Sequence, residues 1–363
     1  MWKIARPNAV AILDNELAKK SLARYFDVML NKKTAKFMIA KKLPSKFSEN
    51  DPLETLWKEH EKCAKEFRKI EREIDLGEYK YIHELTVPSR SFFDLKLEIA
   101  NRILQQCHFC SRKCGASRLT GELGYCSCGC TMSVSNVFVH LGEEPELVPS
   151  GTIFTMGCTI RCCHCQNWTI SQWMESGTEY QPEEMAKEVE HLRLTGCRNV
   201  NLVGGEPTPW LQQWLETFRY VSENVPIVWN SNSYYSPETA KLLDGFADVY
   251  LLDFKYGPAD CAERISNAPN YWKACTCNHV EAKKNGELII RVLVLPNHLE
   301  CCTKPTLNWI AENLGGETRV NLMFQYRPEW RAHEIPELCR RLSKNERKKA
   351  VQLAEEAGLK NLV

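Results

Sequence analysis

The cysteines constrain this chain most. There are 18 in 363 residues, and they are not spread evenly. Cys63 stands alone in the first hundred residues. Cys107, Cys110, Cys114, Cys126, Cys128 and Cys130 form one group, and Cys158, Cys162, Cys163 and Cys165 a second. The other seven are scattered: Cys197, Cys261, Cys275, Cys277, Cys301, Cys302 and Cys339. The N-terminus, MWKIARPNAVAILDNELAKK, has no basic-then-apolar leader pattern, so the expected location is the cytoplasm. Thiols in this number, without an export signal, point to metal or redox chemistry rather than a disulfide framework. The scattered cysteines read mostly as small buried packing side chains, and no spacing makes ligands of Cys275/Cys277 or Cys301/Cys302.

The remaining composition excludes several classes. At 44% apolar and 26% charged residues the chain can bury a sizeable core, and its length suggests about two domains. Lys plus Arg at 47 nearly balances Asp plus Glu at 46, which excludes a nucleic-acid coat or an acidic disordered tail. No apolar run approaches the ~20 residues of a membrane span, so no membrane partner is expected. The charge is polarised, however. The first fifty residues carry 11 Lys/Arg against 4 Asp/Glu, which leaves them at +7 and the rest at −6. Such an arm suits an acidic protein surface or a nucleic acid, or it is a solvated helical face.

Residues 1–100 read as a mostly helical extension. Asp51-Pro52-Leu53-Glu54 is a helix start with an acidic cap, and Leu53, Leu56, Trp57, Cys63, Phe67, Ile70 and Ile74 recur at helical spacing to about Leu76. Residues 101–148 form a Cys-rich segment. From about Gly151 the texture becomes α/β. Strands are expected at Thr152–Met156, Val200–Val203, Pro226–Trp229, Val249–Phe254, Leu288–Leu295 and Val320–Phe324. Helices are expected to start at Gln181-Pro182, Ser236-Pro237 and Ser343, the last with a capping box to Glu346. Six strand–helix units make a parallel α/β fold over residues 149–363, either an open doubly wound sheet or a barrel.

Cys158, Cys162 and Cys165 form a C-x3-C-x2-C triplet directly after the first of these strands. Three thiolates on one tight loop suit an iron–sulfur cluster, each binding a different iron. Structural zinc takes four protein ligands, commonly in two pairs. Three cysteines leave one iron of a cubane with an open, Lewis-acidic position. Cys163 and His164 sit inside the loop; Cys163 is expected to pack. The spacing C-x2-C-x3-C-x11-C of Cys107, Cys110, Cys114 and Cys126 suggests a closed second metal site, zinc or an auxiliary iron–sulfur cluster, with Arg112, Lys113 and Arg118 to moderate its charge.

The triplet, set between Gly151-Thr-Ile-Phe154-Thr-Met-Gly-Cys158 and Cys165-Gln166-Asn167-Trp168-Thr-Ile-Ser171, resembles the radical SAM superfamily. The resemblance is to enzymes related to the pyruvate formate-lyase activating enzyme, in particular an archaeal and bacterial branch often called PflX-like. It continues through His140-Leu-Gly-Glu143-Glu144-Pro145, Val203-Gly204-Gly205-Glu206-Pro207-Thr208-Pro209, Val228-Trp229-Asn230-Ser231-Asn232, Leu252-Asp253-Phe254-Lys255-Tyr256, Arg291-Val-Leu-Val-Leu-Pro296 and Gln325-Tyr326-Arg327-Pro328. It spans about residues 105–363. Val292 departs from the His of many relatives.

The resemblance implies a partial (β/α)6 barrel, a 4Fe-4S cluster on Cys158, Cys162 and Cys165, and S-adenosylmethionine (SAM) on the open iron. It implies that Gly204 and Gly205 admit the methionyl ammonium with Glu206 nearby. It further implies that Asn167, Asn230, Ser231, Asp253, Lys255, Arg291 and Gln325 contact SAM. The implied reaction is one-electron cleavage of SAM to methionine and a 5′-deoxyadenosyl radical, which takes hydrogen from a substrate. That would make the chain an anaerobic oxidoreductase fed by reduced flavodoxin or ferredoxin. Its substrate would be a protein or peptide, as for a glycyl-radical activase. An RNA- or cofactor-modifying enzyme, a methyltransferase variant, or a non-catalytic iron–sulfur or zinc protein are the alternatives. No D-x-H-x-x-G cobalamin motif is present.

Overall fold

A computed structural model describes residues 2–77 and 86–363. Its centre is one eight-stranded sheet. The strands are β1 (Met132–His140), β2 (Ser150–Thr155), β3 (Thr178–Tyr180), β4 (Asn199–Gly204), β5 (Ile227–Ser231), β6 (Val249–Phe254), β7 (Glu287–Leu293) and β8 (Arg319–Met323), in the order β3-β1-β2-β4-β5-β6-β7-β8. The six expected strands are β2 and β4 to β8. They pair in parallel, each beside its successor. A doubly wound sheet reverses its order at a switch point. This one does not, so the winding is that of a partial barrel. β1 and β3 add an antiparallel edge that the sequence reading does not contain.

Side chains alternate along a strand, so each parallel strand sends one row inward. Near the starts of β5, β6 and β7 that row is apolar: Val228, Val249, Leu251 and Ile289 pack together with Leu22, Tyr25 and Phe26. One or two steps further along the same rows stand Asn230, Asp253 and Arg291. On β2, β4 and β8 the row is already polar at the floor, where Asn199 donates to Tyr25 OH at 3.0 Å and Arg319 pairs with Glu146 at 2.6 Å, and the strand C-terminal ends carry the cavity residues.

The N-terminal extension closes the floor. Its helices are α1 (Trp2–Ala5), α2 (Pro7–Ala11), α3 (Glu16–Ser21), α4 (Ala23–Met29), α5 (Lys36–Ala40) and α6 (Leu53–Asp75). Arg24 pairs with Asp75, Glu71 and Asp248, and Glu287 Oε1 accepts from the Arg24 amide at 2.7 Å. Arg6, Lys20, Lys33, Lys36 and Lys41 also bond within the chain. Arg24, Lys33 and Lys36 thus spend their charge on the floor, while Lys3, Lys19, Lys20, Lys32 and Lys46 stay exposed. α6 covers the expected span, but Asp51 does not cap it. Pro52 holds the cap position with no side-chain bond, while Asp51 Oδ2 accepts from Ser48 N at 2.8 Å.

The outer layer follows its cues. α7 (Phe92–Gln105) starts at a Ser91/Asp94 capping box and runs across the expected boundary at residue 100. α8 (Trp168–Ser171) follows the Cys158–Cys165 loop. α9 (Pro182–Leu194) opens on a Gln181/Glu184 box, α11 (Pro237–Leu243) on Ser236 and α15 (Lys344–Glu356) on a Ser343/Glu346 box. Between them lie α10 (Leu211–Tyr220), α12 (Cys261–Ser266), α13 (Tyr271–Asn285) and α14 (Lys304–Leu314). No helix among the described residues is long and apolar enough to cross a membrane.

Candidate active site at the strand C-terminal ends

The Cys158–Cys165 loop is held by its backbone. Arg161 N donates to Ser266 O (2.8 Å) and Cys163 N to Ile265 O (3.0 Å), which ties the loop to the end of α12. Cys158, Cys162 and Cys165 line one cavity of about 210 Å3, whereas Cys163 turns into the core as expected. Each lining thiol has a polar neighbour. Asn232 Nδ2 donates to Cys158 Sγ (3.5 Å) and Ser266 Oγ to Cys162 Sγ (2.9 Å); Ser171 Oγ lies 3.2 Å from Cys165 Sγ. Burial pushes all three thiols above their ordinary pKa, Cys165 to about 11. A soft cation would relieve that penalty. His164 is not a competing ligand, since its Nε2 bonds to Tyr256 OH (3.0 Å) and burial pulls its pKa to about 3.

Asn167, Gly204, Gly205, Glu206, Asn230, Ser231, Asp253, Lys255, Arg291 and Gln325 line the same cavity. Their individual contacts refine the sequence reading. A Cβ on Gly204 would meet Thr155 backbone at 2.1 Å, and one on Gly205 would meet Gly157 O at 2.0 Å. Both glycines are therefore required by the close approach of β4 to β2 and to the loop, whatever is bound. Glu206 offers no free charge. Its carboxylate accepts from Thr208 Oγ1 (2.5 Å), Ser231 Oγ (2.6 Å) and Asn232 N (2.8 Å), bracing the ends of β4 and β5.

Asp253 and Lys255 form a close ion pair. Burial works against the Lys255 charge, but Asp253, Cys162 and Cys165 together hold its pKa above the ordinary value. Arg291 is gripped by Glu143 and by Glu144, at 2.7 Å from both Glu144 oxygens. The Glu143-Glu144 pair thus acts on the site from a remote segment. Val292, one step along β7, is buried in the core, so its identity does not reach the cavity. Asn230 Nδ2 has no partner, although it is buried on the cavity wall. Asn232, Gln166 and Tyr326 also line the cavity and are absent from the sequence-derived set. Asn232 was signalled by its place after Asn230-Ser231.

The donor set fits a cluster with three cysteine ligands and a polar ligand beside it. The thiols are soft, face one cavity and receive hydrogen bonds. Asn230 Nδ2 is a buried donor that a bound molecule would satisfy.

The other cysteine group gathers next to this loop. The free Cys107 thiol neighbours Cys114 and holds its pKa down at about 5, and the free Cys128 thiol neighbours Cys126 and holds it at about 6. Cys110 feels the charges of Cys126 and Cys114. A Cβ on Gly124 would stand 2.9 Å from Cys114 Sγ and 3.8 Å from Cys126 Sγ, so that glycine keeps room between two of the four thiols. Cys128 joins the group from behind Gly157, while Cys130 is exposed. Arg112 lies on the Tyr125 ring and donates from Nε to Thr159 O (2.8 Å), which links the two cysteine segments.

Comparisons with known proteins place this geometry. Residues 152–310 match the model of the radical SAM superfamily. The Methanocaldococcus jannaschii "Uncharacterized protein MJ0674" is 43% identical over 344 residues, 93% of this chain and 98% of that one. MJ0808 of the same organism is 25% identical over 280 residues, 70% of this chain and 82% of that one. Among solved structures, Streptococcus suis SuiB bound to the precursor peptide SuiA aligns at TM-score 0.44 and 12% identity over 57% of this chain; this chain spans 46% of that one. TYW1 with a lysine-pyruvate adduct aligns at 0.36 and 13%, over 56% of this chain and 73% of that one. These two likenesses are too distant to add to the argument, which rests on the sequence matches. The chain belongs to the radical SAM superfamily and is a radical SAM enzyme.

Proposed function

We propose that this enzyme holds a 4Fe-4S cluster on Cys158, Cys162 and Cys165 and binds SAM along the same cavity wall, to take hydrogen from a protein or peptide in the manner of a glycyl-radical activase. One observation carries the reading: three thiols and ten polar or glycine positions from six strand ends line a single cavity. The activase-like, PflX-like assignment is supported by the order of the motifs along the chain. When bound, the cluster and SAM supply reductive cleavage of a carbon–sulfur bond and a hydrogen-abstracting radical.

The chain's own residues orient and enclose. Asn230 Nδ2 is the donor left open for the SAM carboxylate or ribose. Glu206 fixes the Ser231-Asn232 turn, and through it the Asn232 donor to Cys158. Lys255, kept charged by Asp253, places a cation beside Cys162 and Cys165 and moderates the thiolate charge. Arg291 is so fully paired with Glu143 and Glu144 that its role is to shape the wall. In this reading Cys107, Cys110, Cys114 and Cys126 hold a second metal, zinc or an auxiliary cluster, and the donor of electrons is a reduced flavodoxin or ferredoxin. Residues 1–100 serve as the barrel floor, 101–148 as the second metal segment and 149–363 as the catalytic barrel. No observation favours a nucleic-acid substrate.

Anaerobically reconstituted protein, reduced with dithionite and given SAM, is expected to release 5′-deoxyadenosine. Replacing Cys158, Cys162 and Cys165 with Ala is expected to abolish that release. Turnover retained in the triple variant would overturn the assignment.

A further inference from the structure

Two of the scattered cysteines meet a histidine at one point. Cys261 opens α12, and Cys301 and Cys302 lie on a π-turn, Leu299–Thr303, that follows β7 and is preceded by His298. We propose that Cys261, His298 and Cys301 hold a mononuclear divalent metal, zinc by preference, with the fourth position left to water. The site is separate from both cysteine groups described above and does not depend on the radical reading.

The geometry is that of a metal site. One ligand atom each from Cys261, His298 and Cys301 lies within 4.8 Å of the other two. The sulfurs of Cys261 and Cys301 are 3.7 Å apart. Tetrahedral zinc with Zn–S near 2.3 Å sets its thiolates about 3.8 Å apart. The sulfurs are too close to bracket an iron–sulfur core, where each thiolate takes a different iron. They are too far apart for a disulfide, whose bond is about 2.05 Å.

His298 is buried and oriented for ligation. Its Nδ1 lies 2.8 Å from Pro296 O, so Nδ1 carries the proton and Nε2 presents a lone pair. The Arg264 guanidinium sits 3.4 Å from that Nε2, where a donor belongs. It is also paired with Glu337 at 2.6 Å and partly exposed, so it can withdraw when a metal takes that nitrogen.

The backbone is shaped for the meeting. The bond from Thr303 N to His298 O (3.1 Å) makes the turn a π-turn, a rare feature concentrated at functional sites. A Cβ on Gly257 would stand 2.1 Å from Cys301 O and 2.9 Å from Cys302 Cα, so only glycine lets the loop before α12 lie on this turn. The same α12 supplies Ile265 O, Ser266 O and Ser266 Oγ to the Cys158–Cys165 loop. A metal here would fix the support on which that loop rests.

The test compares the zinc content of full-length wild-type protein, purified anaerobically, with that of His298→Gln, Cys261→Ser and His298→Cys, iron being counted in parallel. Loss of about one zinc per chain is expected in the first two variants, and retention in His298→Cys, where a thiolate replaces the imidazole. With cobalt(II) in place of zinc, His298→Cys is expected to gain sulfur-to-cobalt charge-transfer absorption. Zinc content equal to wild type in His298→Gln and Cys261→Ser would overturn the proposal. So would loss of zinc in His298→Cys with unchanged far-ultraviolet circular dichroism. If the first two variants fail to fold, the retained zinc and the cobalt spectrum of His298→Cys decide alone.

Discussion

At the scale of single residues, the cavity is defined by what its side chains already hold. The Ser266 hydroxyl donates to Cys162 Sγ at 2.9 Å. Hydrogen bonds to ligand sulfurs raise a cluster's potential, and one to a charged group is worth about 1.5–3 kcal/mol. Ser266→Ala is therefore expected to lower the midpoint potential of the reconstituted cluster by on the order of 100 mV, at 59 mV per tenfold for one electron. A redox titration followed by electron paramagnetic resonance (EPR) measures this, and an unchanged potential would remove Ser266 from the account. Glu143 gives a pH prediction. Burial pushes its pKa up to about 7 from 4.5, and Glu144 adds to the rise while Arg291 opposes it. The folded chain thus binds a proton that the unfolded chain releases between those values, and stability falls as pH rises through that window. Glu143→Gln lacks this term, so in denaturant melts it should gain on wild type from pH 5 to pH 8; a constant difference would contradict the shift. The cysteine triplet and the strand-end motifs were legible because each is a short local pattern. The bracing role of Glu206 and the pairing of Arg291 were not, because their partners come from distant segments.

At the scale of elements, the floor is built by a segment that sequence motifs leave unexplained. Leu22 is fully buried against Val228, Val249, Leu251 and Ile289. Leu22→Ala is expected to cost about 2–5 kcal/mol in denaturant unfolding, whereas Leu17→Ala, at an exposed position, should stay within about 0.5 kcal/mol. Equal effects would mean that the extension does not plug the barrel. The parallel strands and the capped helices α9, α11 and α15 obey local rules and could be read directly. β1 could not. Its register shifts between Val134 and Asn136, and a bulge breaks the alternation that marks a half-buried strand. β3 is three residues long, too short to leave a pattern. The α6 start misled because Asp51 satisfies the Ser48 amide instead of the helix.

At the scale of the whole molecule, the strand periodicity allowed two architectures, and sequential pairing without reversal makes it a partial barrel. The same pairing brings motifs spread from Cys158 to Gln325 around one cavity. The meeting of Cys261 with His298 and Cys301 is tertiary and leaves no spacing to read. The central claim is that three thiols grip a cluster whose remaining position takes SAM. EPR of the dithionite-reduced, reconstituted protein with and without SAM tests it most directly, run in parallel on Cys107→Ser/Cys114→Ser to separate a second cluster. The account predicts a cluster signal that changes shape and g-values when SAM is added, in both proteins, and that is absent after Cys158, Cys162 and Cys165 are replaced with Ala. A signal indifferent to SAM, or a SAM-responsive signal surviving the loss of those three thiols, would contradict it.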